Sequence, residues 1–230
     1  MDASVLSQAI CEHGFAVIPR IFGSHLITAL LQELPGLAQR RTRAGVRHLM
    51  GYPAVNDLAL DPRLVGLARQ VLGANAFPFR ATLFDKSPTS NWLITWHQDT
   101  ALPLRQRREA DGWSSWSVKN GVIYAHAPAI ALQQVIALRV HLDDSTEENG
   151  PLRVIAGTHN LGVLTDASVD QIIHKQTPVD CLVPQGGVLA MRPLLIHASS
   201  KSQTDMPRRV LHIEYSATAT FPGGLELAKA

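Results

Sequence analysis

From Phe79 onward the sequence breaks into short apolar runs rich in β-branched residues, and this restricts the fold more than any other feature. The runs span Phe79–Asp85, Leu93–Gln98, Val135–Leu142, Leu152–Ile155, Val179–Val183, Val188–Met191, Leu194–Ala198 and Val210–Tyr215. Turn-forming residues separate them at Asn149-Gly150-Pro151, Gly157, Pro184 and Gly186-Gly187. Runs of this length between such punctuation read as strands, and many short strands in succession predict a sandwich or a barrel.

The first third has a different rhythm. Leu26, Ala29, Leu30 and Leu34 recur at helical spacing, with Ser24 as the expected N-cap. Asp61-Pro62 opens a second helix, Asp61 capping and Pro62 in the first turn. Leu64, Val65, Leu67, Ala68 and Leu72 form its apolar face, and Gly73 closes it. Phe15–Ile18 is a short strand candidate, and Asp166–His174 a helix among the later strands. Helices first and strands after give an α+β, mainly β chain: a mostly helical part over 1–76 packed outside a β core over 77–217, in one domain of 230 residues. Residues 101–130 read as a long irregular segment, which in a compact domain suggests an active-site lid. Trp113 and Trp116 would pack it shut, and Arg105, Arg107 and Arg108 hint at an anionic substrate.

The chemistry begins at Trp96-His97-Gln98-Asp99. Side chains two apart on a strand share a face, so His97 and Asp99 would project together and Gln98 away. An imidazole beside a carboxylate is two-thirds of a facial metal triad. His197, at the end of the apolar Leu194–Ile196 run, is the candidate third ligand. Two histidines and one carboxylate leave three positions of an iron(II) open, two for a 2-oxo acid and one for O₂. A dicarboxylate such as 2-oxoglutarate also needs a fixed cation for its far end, and arginine's planar fork suits that best. Arg208 and Arg209 follow His197 by eleven and twelve residues. On a strand, Arg208, Val210, His212 and Glu214 share the more polar face. Arg209, Leu211, Ile213 and Tyr215 share the greasier one, suited to packing under the helices. The polar face, and with it Arg208, fits an active-site cavity.

These pieces resemble the phytanoyl-CoA dioxygenase family of Fe(II)/2-oxoglutarate oxygenases. The matching segments are Trp96–Asp99, Val140-His-Leu-Asp-Asp144, Asn149–Leu152, Gly157-Thr-His159, His197–Ser200 and Pro207-Arg208. The likeness covers about Phe79 to Ala217; the helical part fits more loosely. It implies a double-stranded β-helix, or jelly-roll, core of cupin-like form. It also implies iron(II) bound by His97, Asp99 and His197, 2-oxoglutarate held by Arg208 and Ser199, and Lys86 near the cosubstrate or substrate. Related halogenases carry a small residue in place of the carboxylate ligand. Asp99 is intact, so hydroxylation of a small organic substrate is expected, with desaturation, cyclisation or epimerisation as outcomes of the same centre. An oxygen-independent cupin-like enzyme lacks a use for the Arg208–Ser199 pair, and a non-catalytic binding module would show a broken triad.

The other histidines are read as quiet: His141 and His159 as structural hydrogen bonders, His212 as possible cavity lining, and His13, His25, His48, His126 and His174 without pattern. A net charge of +2 gives no reason to expect a nucleic-acid or acidic-membrane partner. No run approaches the roughly 20 apolar residues of a membrane span. The amino terminus has no basic stretch leading into an apolar run, and Cys11 and Cys181 form no metal pattern, so a cytoplasmic location with free thiols is expected. Nothing in the sequence sets an oligomeric state.

Overall fold

A computed structural model describes residues 3–34, 45–87 and 90–230. The chain opens with α1 (Ala3–His13), β1 (Phe15–Ile18) and α2 (Ser24–Glu33). After β2 (Gly45–Arg47) come α3 (Pro53–Ala59) and α4 (Pro62–Leu72). Asp61 caps α4 as expected, accepting the Arg63 N–H at 2.9 Å, and Gly73 ends it with φ 94°. Ser24 does not cap α2. Gly23 takes the cap position in an extended conformation, and Ser24 is already the first helical residue. The parts of the helical expectation that fall on 1–2 and 35–44 lie outside the described residues.

Strands then dominate: β3 (Phe77–Lys86), β4 (Ile94–His97), β5 (Ala101–Leu104), β6 (Ser114–Lys119) and β7 (Val122–His126), followed by the short α5 (Ala129–Leu132) and β8 (Val135–His141). After β9 (Leu152–Val154) and α6 (Asp166–Ile173) come β10 (Val179–Cys181), β11 (Val188–Met191), β12 (His197–Ser199) and β13 (Arg208–Ser216). One sheet has the order β1-β11-β8-β13-β3-β2 and the other β10-β9-β12-β4, antiparallel throughout. Together they form the jelly-roll core.

Alternation assigns the two faces of the larger sheet. Leu83, Leu138, Val140, Leu211, Ile213 and Tyr215 pack outward under α1, α2 and α4, against Leu6, Ile10, Ile27 and Leu64. Burying each such side chain contributes about 1.5–3 kcal/mol. Tyr215 also donates its hydroxyl to the Ala59 carbonyl at 2.7 Å, tying the sheet to α3. The opposite residues, Arg80, Thr82, Lys86, Arg139, His212 and Glu214, point into the roll; Lys86, Arg139, His212 and Glu214 are at most 5% exposed. That polar interior sets the site.

Residues 101–130 differ from the irregular segment expected. β5, β7 and β6 form a three-stranded antiparallel sheet of their own, with Ala101 opposite His126 and Val118 opposite Ile123. Its apolar side, with Leu102, Leu104 and Trp113, packs on Phe221 and Leu225 near the carboxyl end. Arg105 pairs with Glu226 and Arg107 with Glu109, both on the exposed surface. These arginines line none of the cavities around the metal candidates, so the hint of anion binding does not rest on them. Among the described residues, no helix is long and apolar enough to cross a membrane.

Candidate active site

β12 and β4 pair so that His197 faces His97 across the ladder, their ring centres 4.3 Å apart. Each ring has Nδ1 at 2.8 Å from the carbonyl two residues back, Thr95 for His97 and Leu195 for His197. A carbonyl can only accept, so each Nδ1 carries the hydrogen and each Nε2 keeps its lone pair. Both Nε2 atoms sit over Asp99, 3.7 Å from Oδ1 for His97 and 3.5 Å from Oδ2 for His197. Ligand atoms from the three residues all lie within 4.8 Å of one another. Two oriented imidazole nitrogens and a carboxylate converging on one point fit a divalent iron.

The local route to this geometry is not the one expected. β4 ends at His97, and Asp99 lies beyond it, its N–H donated to the Pro193 carbonyl at 2.9 Å. Gln98 does turn away. Its amide donates to the carbonyls of Gly162 and Leu194, and its Oε1 accepts the Leu164 N–H. One side chain thus fastens the ligand-bearing segment to two loops. The run ahead of His197 is also no strand: Pro193-Leu194 form a turn, Leu195 a bend, and His197 opens a three-residue strand.

Ionisation states suit a cation. Burial pushes the Asp99 carboxyl up, but His197 and His97 outweigh it and hold the group well below the ordinary carboxylate range. Burial pushes His197 down to about 4, against the pull of Asp99. Burial also lowers His97, but its hydrogen bond and charge interaction with Asp99 win and raise it.

A cavity of about 220 Å³ opens on all three residues and runs to Arg208, Arg139 and Ser199. Arg208 is 3% exposed and has no carboxylate partner among the described residues. Its Nε donates to the Asn149 carbonyl at 3.3 Å, its Nη2 to Ser199 Oγ at 3.2 Å, and its Nη1 is buried without a partner. Ser199 donates to the Gly150 carbonyl at 2.9 Å and accepts from Lys86 Nζ at 2.8 Å. Lys86 also donates to the Ser200 carbonyl. Lys86 therefore stands behind Ser199 and braces it; it is not part of the cavity wall. Gly150, at φ 69°, is required here, since a Cβ would collide with the Ser200 carbonyl and meet Lys86 Nζ. The Asn149–Leu152 turn is thus the floor of a buried cationic cradle.

Arg209 points the other way, its fork on Asp143 with contacts of 2.7 and 2.8 Å. The strand alternation read from the sequence holds here.

A second cavity, of about 270 Å³, shares Asp99, Phe84 and Arg47 with the first. Arg80, Lys119, Tyr124, His126 and Glu214 line its far side. Sequence reasoning missed most of these. His48, set aside as patternless, bonds Tyr124 Oη through Nε2 at 2.8 Å. Arg139 carried a usable signal, a lone cation in the otherwise apolar Val135–Val140 run. It donates to His212 Nδ1 at 2.9 Å, which puts the His212 hydrogen on Nε2, 3.8 Å from Glu214. His159 bonds the Cys11 carbonyl as a structural role predicts, but His141 does not bear out that expectation. Both its ring nitrogens are buried without a partner.

Comparisons with known proteins point to one family. The family described as Phytanoyl-CoA dioxygenase (PhyH) matches residues 10–210. The chain is 26% identical to an L-proline trans-4-hydroxylase from Streptomyces griseoviridis, covering 91% of this chain and 84% of that one. It is also 26% identical to an ectoine dioxygenase from Bordetella parapertussis, covering 80% of this chain but only 62% of that one. Among solved structures, the epimerase SnoN in complex with Fe3+, alpha ketoglutarate and nogalamycin RO superposes with a TM-score of 0.71 at 17% identity, covering 95% of this chain and 84% of that one. At that identity the likeness speaks for the fold alone.

Proposed function

The chain belongs to the phytanoyl-CoA dioxygenase family and is a non-haem Fe(II)/2-oxoglutarate dioxygenase, and on that premise we propose that it hydroxylates a small organic substrate with release of succinate and CO₂. The observation that carries the proposal is the convergence of His97, Asp99 and His197 at one end of a cavity whose other end is the unpaired Arg208.

In this reading His97, Asp99 and His197 hold the iron, which when bound supplies the activation of O₂. The Nδ1 bonds to Thr95 and Leu195 keep both imidazoles in the ligating tautomer. Arg208 takes the far carboxylate of 2-oxoglutarate, its idle Nη1 giving the fork a second donor. Ser199 must swing its hydrogen from the Gly150 carbonyl to join it. Burial of Arg208, Arg139 and Lys86 keeps the cradle dry, which strengthens each charge contact.

The intact carboxylate ligand favours hydroxylation over halogenation, and the hydroxylase named among the relatives favours it over the other outcomes of the same centre. The test is substrate-stimulated succinate release from anaerobically iron-loaded protein, with the product mass measured. A gain of one oxygen supports hydroxylation. Loss of two hydrogens, or no mass change, would replace it with desaturation or cyclisation, or with epimerisation.

A further inference from the structure

The cavity beyond Asp99 has an unbalanced charge. Arg80 and Glu214, inside the roll, satisfy each other through a two-pronged contact, so that pair is neutral. Asp99 belongs to the metal candidates. That leaves Arg47, at the end of β2, and Lys119, at the end of β6, both at the rim. Among the described residues neither is in an ion pair with a carboxylate; Lys119 Nζ rests 4.9 Å from the Tyr124 ring centre. The two cations approach from different sheets, so the chain holds them together against their repulsion.

The repulsion leaves a mark on the neighbours. Burial lowers the Lys119 amine, and the Arg47 and Arg80 charges lower it further. Burial lowers His48 in the same way, with Arg47, Arg80 and Lys119 adding to it. With Arg80 answered by Glu214, the two uncompensated cations Arg47 and Lys119 raise the potential in one small volume, and an anion would relieve it.

Resting on the oxygenase reading of the same site, we propose that this chamber is the substrate's seat and that the substrate carries a carboxylate, which Arg47 and Lys119 hold at the rim while its oxidisable carbon reaches toward Asp99. The size of the chamber, about 270 Å³, suits a compact molecule. Its polar lining of Arg80, Glu214, His126 and Thr100 disfavours a long hydrocarbon chain. The anion is thus met by residues of the β2 and β6 edges, not by the arginines at 105–108.

The test uses the protein with Zn(II) in place of iron and saturating 2-oxoglutarate, so that the Arg208 cradle is filled and no turnover occurs. Binding of 2-oxoglutarate is measured first by calorimetry; its failure would count against the oxygenase reading itself. Saturation-transfer NMR then screens monocarboxylic acids of three to eight carbons, L-proline included, each beside its primary amide. At least one acid should bind, at least tenfold more tightly than its amide. Lys119→Gln should lose much of that preference while keeping 2-oxoglutarate affinity, the double variant Arg47→Gln/Lys119→Gln should lose the rest of the preference, and Arg105→Gln/Arg107→Gln should keep both. If 2-oxoglutarate binds but no acid does, if amides bind as well as acids, or if the Arg47/Lys119 variant retains the preference, the proposal is overturned.

Discussion

The two chambers that meet at Asp99 are built on opposite plans. The Arg208 chamber is lined mainly by β8, β12 and β13 of the main sheets, and Arg208 and Arg139 in its wall are at most 5% exposed; Arg47 stands where the two chambers join. The far chamber takes its outer wall from the edge strand β2 and from β6 and β7, and Arg47 and Lys119 are exposed. A buried, unpaired arginine is costly unless an anion completes it, so such a site is committed to one ligand. Rim cations on strand edges can be exchanged without disturbing a core. On the proposed assignment, one fold can thus keep a fixed oxidising half and vary the half that meets the substrate.

The largest expected effects test the shared boundary. His97→Ala, Asp99→Ala and His197→Ala should each abolish iron-dependent turnover, and anaerobic titration should show loss of the near one-to-one Fe(II) binding expected of the native chain. Retained stoichiometric binding and full activity in any of the three would remove that residue from the site. Next comes the committed chamber. Removing one member of a buried charge pair costs about 3–5 kcal/mol. Arg208→Ala should therefore weaken 2-oxoglutarate binding by roughly two to three orders of magnitude, at about 1.4 kcal/mol per tenfold, and leave iron binding intact. Arg208→Lys should recover only part, since the amine has no fork. Arg209→Ala should leave the affinity alone and cost about 1 kcal/mol or less of stability, from its part-exposed pair with Asp143. A larger affinity loss at 209 than at 208 would mean that the strand faces are assigned the wrong way round.

The same division governs what could be read from the sequence. Period-two alternation separated Arg208 from Arg209, and it did so because β13 is long, keeps one register with β3 from Arg208 to Glu214 and is buried on both sides. The spacing of His97 and Asp99 brought the right pair together for partly the wrong reason, since the strand ends at His97 and tertiary hydrogen bonds, from the Asp99 N–H to the Pro193 carbonyl and from the Gln98 amide to Leu194, finish the placement. Lys86 was placed near the cosubstrate by resemblance, and only its contacts show that it braces Ser199 from behind. The far chamber was illegible. β6 reads Ser-Ser-Trp-Ser-Val-Lys and is largely solvent-exposed, so it lacks the alternation that announces a half-buried strand. Arg47 sits on a three-residue strand, too short for any pattern.

The 101–130 segment offers a test of intermediate size. A lid without structure of its own would exchange its amides freely until ligands bind. The β5–β7 ladder, with Leu102 and Leu104 at 1% exposure, should instead be protected in the free protein, and ligand should add protection mainly toward β6. Trp113, 7% exposed and 5.7 Å from Phe221 between ring centres, anchors the sheet. Trp113→Ala should cost about 3–5 kcal/mol by denaturant unfolding if the segment unfolds with the core. Rapid exchange throughout β5 and β7, or an unchanged unfolding midpoint, would restore the mobile lid.

The smallest effect concerns Lys86 and distinguishes a brace that also carries charge from one that only fills space. Burial pushes its amine down to about 7, and Arg208 and Arg139 push the same way by repelling another positive charge. In the free protein the group is therefore charged below about pH 7 and neutral above it. A dianion arriving beside Ser199 favours the charged form and raises the pKa in the complex. Binding then takes up a proton between the free and bound values, so 2-oxoglutarate affinity should be highest at the acidic end and fall as pH rises from about 7. One pKa unit of difference between the two states corresponds to about 1.4 kcal/mol, so a decline of about tenfold is expected before it levels off. Lys86→Met keeps much of the packing, removes the charge and should flatten the profile at the weaker, high-pH affinity. Calorimetry in two buffers of different ionisation enthalpy between pH 6.5 and 9 would also register the proton uptake directly. A flat profile in the native chain, or the same slope in Lys86→Met, would reduce Lys86 to a spacer behind Ser199 and leave Arg208 and Arg139 as the charges the cosubstrate meets.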